Sequence, residues 1–217
     1  MRQKPYEIVV LKPTAVFLSF LASQLPETKI PALRLLQIDN TAYVVPKRNS
    51  DEATLDEIEK HFPNMFHHEI RRWLGDQVCT ELETNFLDFL CCFKFELHNH
   101  IILMEPLIEQ GRQLLLFKPR EALFNWLKSM VESQDDLVDV MNCVKLSNLE
   151  ENATVMVKNF SNLTEIKPFI KDFYHPIVLT AMTRITSQFD QWPVINSFQE
   201  FRSYFSVEIH TQLIHLH

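Results

Sequence analysis

Nine histidines are the residues most able to do chemistry in this chain. Neutral imidazole takes metals and moves protons near pH 7. Two pairs of them occupy matching places in the two halves of the sequence, His67 with His175 and His98 with His210. The second pair sits in a repeated Glu-Leu/Ile-His triplet, Glu96-Leu97-His98 and Glu208-Ile209-His210. Read as helix, residues two apart point about 200° apart, so this Glu and His cannot share a ligand sphere. Glu96 and His100 are four apart and could share one, but the second half carries Gln212 where His100 stands. Neither half contains the H-E-x-x-H pair of a zinc hydrolase. The repeated histidines are therefore expected to hydrogen-bond within their own unit. The triplet His98-Asn99-His100 only spells the name of a nuclease motif whose residues are dispersed over another fold.

Other catalytic signatures are missing. With only Gly75 and Gly111 in the chain, no phosphate-cradling loop, dinucleotide fingerprint or nucleophile elbow can be built. The four cysteines, Cys79, Cys91, Cys92 and Cys143, form no C-x-x-C pair and no zinc spacing. The expectation is a protein without catalytic residues, metal or cofactor.

Charge narrows the partners. The chain carries −7 and neither half is a basic module, so nucleic acid is not an expected partner. No run reaches the ~18–20 apolar residues of a membrane span, so direct membrane insertion is not expected. The start lacks the layout of a secretory leader, so the protein is placed in the reducing cytoplasm. The glycosylation-like triplets at Asn152, Asn159 and Asn162 are then accidental.

The elements that carry these residues recur. Residues 7–23 lie over 113–129, sharing the Lys12-Pro13 and Lys118-Pro119 pairs, and residues 55–68 lie over 163–176. Residues 86–105 lie over 198–217, with Phe86/Phe198, Phe89/Phe201, Phe93/Phe205, Glu96/Glu208, His98/His210 and Ile102/Ile214 identical. Colinear blocks at nearly constant offset predict an internal tandem duplication, with units at 1–108 and 109–217. Copies at about 6–105 and 112–217 are joined through Glu105 to Gln110.

Each unit opens with an apolar strand, 6–11 or 113–117. A buried helix follows, 15–25 or 121–132, with Pro13 or Pro119 at its start. Leu33 to Ile38 and Thr41 to Val45 then read as a hairpin turning at Asp39-Asn40. The second copy keeps those strands near 137–146 and 154–160, joined by a longer polar loop at 147–153. Ser50 caps a helix through Leu55, Ile58 and Phe62, and another runs from about Asn64 to Leu74, ending at Gly75. The apolar stripe from Val78 to Ile101, and from Phe198 to Leu213, predicts one long closing helix. The sum is an α+β fold, a β-α-β-β-α-α-α unit occurring twice about a pseudo-twofold axis.

Such a protein is expected to work through protein–protein contacts. The candidate partner site is an apolar knob at a helix junction, formed by Phe62, Met65, Phe66 and His67. An acidic, glycine-poor chain of this size opening YEIVVLKPTAVFLSFLASQLP resembles the small accessory subunits of the Legionella Dot/Icm type IVB secretion coupling complex. That resemblance implies a non-enzymatic adaptor that docks on the coupling ATPase assembly and helps recruit effector proteins. The competing classes are an enzyme using His98 with His210, or His67 with His175, and an immunity protein that neutralises a toxin.

Overall fold

The computed structural model describes residues 6–25, 30–75, 85–99, 101–104, 112–131, 143–151, 153–186 and 189–216. These form an α+β protein with two four-stranded sheets, each in its own compact unit. The units are not the two halves of the sequence. The first takes residues 6–99 together with 210–216, and the second takes 101–104 and 112–209.

The first unit is built on strand β1 (Tyr6–Pro13). Ile8, Val9, Val10 and Leu11 are all essentially inaccessible, which is why the strand reads as an unbroken apolar run rather than an alternation. Pro13 closes the strand opposite Phe93, and Thr14 caps helix α1 (Ala15–Gln24) by accepting from the Val16 amide. The Thr14 hydroxyl in turn donates to the Cys91 carbonyl at 2.7 Å. The expected hairpin is not formed. Leu33–Leu36 is a single helical turn, α2, because Leu33 and Leu36, three apart, meet the core while Leu35 is exposed. Strand β2 (Thr41–Pro46) then pairs antiparallel with β1, Val9 opposite Tyr43.

Helix α3 (Asp51–Leu74) is capped by Ser50 and closed by Gly75 at φ 79°, the left-handed conformation glycine adopts freely. The two helices expected here are one, with Pro63 inside it. An interior proline costs ~3 kcal/mol. Burying Met65, Phe66 and Ile70 beyond it returns ~1.5–3 kcal/mol for each side chain, so the apolar stripe carries the helix through.

The long closing helix is also replaced. Helix α4 (Phe86–Cys92), capped by Asn85, gives way at once to strand β3 (Phe93–His98). Phe93, Phe95 and Leu97 face the core, so the apolar period changes from about 3.6 to 2 at Phe93. β3 lies antiparallel to β1, Val10 opposite Glu96. Phe17, Phe66, Phe89 and Phe93 fill the core, with Phe17 and Phe93 ring centroids 4.6 Å apart.

The second unit contains strand β4 (Ile101–Leu103), strand β5 (Gln113–Pro119) and helix α5 (Glu121–Val131). Helix α6 (Leu146–Glu151) stands where a polar loop was expected; most of the strand expected at 137–146 lies outside the described residues. Strand β6 (Thr154–Lys158) precedes helix α7 (Ile166–Ile185), which again runs through a proline, Pro176. Helix α8 (Phe198–Tyr204), capped by the Ser197 hydroxyl, leads into strand β7 (Phe205–His210). Here too the expected long helix is a short helix and a strand. Strand β8 (Gln212–His215) completes the chain's described elements.

The sheet orders are β3-β1-β2-β8 and β7-β5-β6-β4. β8 lies parallel to β2 and β4 lies parallel to β6. Each unit therefore completes its sheet with a strand from the far end of the other half-sequence. The registers match: Val9, Tyr43 and Ile214 stand in one row, and Leu115, Met156 and Ile102 stand in the other.

Candidate binding sites

The strand assignment of β3 and β7 changes the reading of the repeated Glu-x-His. Side chains two apart on a strand share a face, and Glu96 Oε2 lies 3.6 Å from His98 Nε2. Lys12, at the end of β1, reaches the other oxygen of Glu96 at 2.6 Å. In the second unit Lys118 reaches Glu208 at 3.0 Å. The shared Lys-Pro and Glu-x-His residues thus build a lysine–glutamate pair in each sheet. His98 and His210 are both fully buried. His210 Nδ1 accepts from the Asn40 amide at 3.1 Å, which places the proton of the neutral ring on Nε2. Its partner comes from the other half of the sequence, because residue 210 belongs to the first unit. Asp39 likewise accepts from the Thr211 amide and hydroxyl at 2.8 and 2.6 Å, and from Arg72 at 3.2 Å. These contacts tie β1, β2 and β3 to residues 210 and 211 within the first unit.

The apolar knob on α3 is not at the surface. Met65 and Phe66 lie in the core, and Phe62 is half-buried against Phe86 and Phe89 at 5.5 and 5.8 Å. Helical spacing turns all three to the sheet. His67 alone of the four is exposed. His175, its match, is exposed on α7 with its ring 4.0 Å from that of Tyr174.

His67 does line a cleft. Together with His61, Asn64, His68 and Arg71 of α3, and His215 at the end of β8, it borders a cavity of about 450 Å³ whose floor includes Tyr43. Two of these imidazoles already have carboxylates beside them, His61 3.4 Å from Glu57 and His68 3.9 Å from Glu69. Among the described residues no group of three or more His, Cys, Asp or Glu is placed to hold a metal ion. The cleft lining is largely polar, with four imidazoles and the Arg71 guanidinium.

Beneath it, the Tyr43 hydroxyl lies 3.2 Å from Glu69 Oε1 and 3.3 Å from both the Met65 carbonyl and His68 Nδ1. Burial raises the phenol well above its ordinary pKa of 10.0, the negative charge and hydrogen bond of Glu69 add to that, and Arg72 opposes it. Above pH 10 the unfolded chain therefore loses a proton that the folded chain keeps, so stability falls as pH rises. Thermal unfolding should show wild-type protein losing stability above pH 10 more steeply than the Tyr43→Phe variant. Parallel pH profiles would contradict this coupling.

A different kind of site lies in the second unit. A groove of about 390 Å³ runs between α7, α8 and β7. Its apolar lining includes exposed Leu163, half-buried Phe198, Val207 and Ile209, and buried Ile170. Arg120, Lys167 and Arg202, all exposed, stand around it. No acidic side chain pairs with any of the three among the described residues. Each element is fixed for an identifiable reason. Asn162 caps the short 3-10 turn that brings in Leu163. Ser197 caps α8, with Glu200 reaching back to the Asn196 amide at 2.8 Å. The Arg120 amide donates to the Tyr204 carbonyl at 2.8 Å, tying the end of β5 to the end of α8.

No family model, curated protein or solved structure matches this chain. The groove's geometry and charge are therefore the ground for reading its role. Sequence reasoning missed it because Arg120, Lys167 and Arg202 come from three separated segments, each with one of its cations. Three exposed cations around an apolar groove, in a chain of net charge −7, are recognisable only after folding. Among the described residues no helix is long and apolar enough to cross a membrane.

Proposed function

We propose that the protein is a non-enzymatic adaptor that binds other proteins, and that the groove of the second unit receives an acidic segment carrying apolar anchors. The observation that carries this reading is the ring of Arg120, Lys167 and Arg202, without acidic partners among the described residues, around an apolar lining. Apolar anchors seated in a pocket supply most binding energy at protein interfaces, and complementary charge at the rim gives rate and specificity. The accessory subunits of type IVB coupling complexes, which the opening of the chain resembles, suggest effector proteins or coupling-complex subunits as the source of that segment.

A labelled synthetic peptide in which Asp and Glu alternate with Leu and Phe tests this by fluorescence anisotropy. It should bind saturably, and more weakly as salt is raised. A peptide with the same apolar residues and Lys in place of the acids should bind at least ~10-fold more weakly. Equal affinity for the two peptides would refute the charge-matched groove.

A further inference from the structure

The second unit holds another cavity, of about 220 Å³, under the C-terminal end of α7. Its walls are apolar, with Phe117, Leu127, Leu149, Ala181 and Ile185 among them, and it contains one charged side chain, Arg184. Arg184 is half-buried, and no carboxylate pairs with it among the described residues. Desolvation lowers its pKa, with no neighbouring charge to offset it. A guanidinium withdrawn from water without a counter-charge is costly, and its helix-terminal position returns only a fraction of that cost. The counter-charge and the missing apolar contacts can both come from one ligand.

We infer that this cavity binds a small apolar monocarboxylate, its carboxylate paired with Arg184 and its hydrocarbon part against Leu127, Leu149 and Ile185. A planar guanidinium pairs with a carboxylate through two parallel hydrogen bonds, which selects the acid over neutral ligands of equal apolarity. The volume lies below the ~300–1,000 Å³ of pockets for drug-sized ligands, so a short acyl chain fits and a folded peptide segment does not. This site is distinct from the charged groove, and neither reading depends on the other.

Octanoate and 1-octanol are the probes, titrated into the 217-residue chain and followed by calorimetry and by the methyl resonances of Leu127, Leu149 and Ile185. Wild-type protein should bind octanoate saturably, at least ~10-fold more tightly than 1-octanol, with shifts centred on those methyl groups. Arg184→Met should erase the preference for the acid without lowering the melting temperature, since the methionine stem keeps the apolar packing. Should that variant fold poorly, Arg184→Gln provides the same comparison, and the wild-type methyl shifts stand by themselves. Absence of saturable octanoate binding, shifts elsewhere in the protein, or a preference that survives in the variants would overturn the assignment.

Discussion

Deletion of residues 211–217 is expected to destabilise the first unit by about 5 kcal/mol, although those residues end the second half of the sequence. The deletion removes β8, whose Leu213 is 1% exposed and whose Ile214 packs against the first core. Truncating one buried leucine alone costs ~2–5 kcal/mol. The loss also includes the parallel ladder from Thr41–Gln212 to Val44–His215, both Thr211 hydrogen bonds to Asp39, and the Leu216 amide bond to the Val44 carbonyl. Such a cost rivals the whole stability of many domains, ~5–15 kcal/mol. Native-state hydrogen exchange should show protection falling more than ~100-fold in β1 and β2, while the amides of β6 keep theirs. Loss of protection in β6 with β1 and β2 unchanged would contradict the strand exchange.

Much of this fold is legible in the sequence. The apolar runs at β1 and β5, the capped start of α3 and its glycine stop follow from local chemistry. The errors have a common physical origin. Phe86, Phe89 and Phe93 recur at helical spacing, and the alternation Phe93-Lys94-Phe95-Glu96-Leu97-His98 begins on the same residue, so the stripe reads as one continuous helix. Only the change of period marks the strand. At Asp39-Asn40 the sequence carries a plausible turn, yet these residues are held by Arg72, His210 and Thr211. Contacts between residues some 170 apart in the chain leave no local signature.

Exchange of the terminal strands was equally hidden, since β4 and β8 are short and their partners lie far away in sequence. The Ile102/Ile214 match did place both residues in equivalent rows, beside Met156 and Tyr43. These matched registers, with the Lys12–Glu96 and Lys118–Glu208 pairs, support a proposal of common descent for the two halves. As for the sites, His67 does border a cleft, whereas its three apolar neighbours belong to the interior. That outcome follows from helical geometry: Phe62, Met65 and Phe66, at i, i+3 and i+4, share the inward face, and His67 falls beside it on the exposed one.

The second large effect concerns binding. Reversing the groove's charge with Arg120→Glu, Lys167→Glu and Arg202→Glu places three carboxylates where an acidic segment must dock, turning attraction into like-charge repulsion worth several kcal/mol. All three side chains are exposed, so the fold should tolerate the changes, to within ~0.5 kcal/mol each. The variant thus separates binding from folding. His67→Ala, on the other unit, serves as a control that leaves the groove untouched.

Anisotropy titration of the acidic peptide against wild type, the triple reversal and His67→Ala tests the adaptor reading most directly. The expected result is about 100-fold weaker binding by the triple reversal, equal binding by His67→Ala, and unchanged melting of all three proteins. Undiminished affinity in the triple reversal, with the loss appearing in His67→Ala instead, would contradict it.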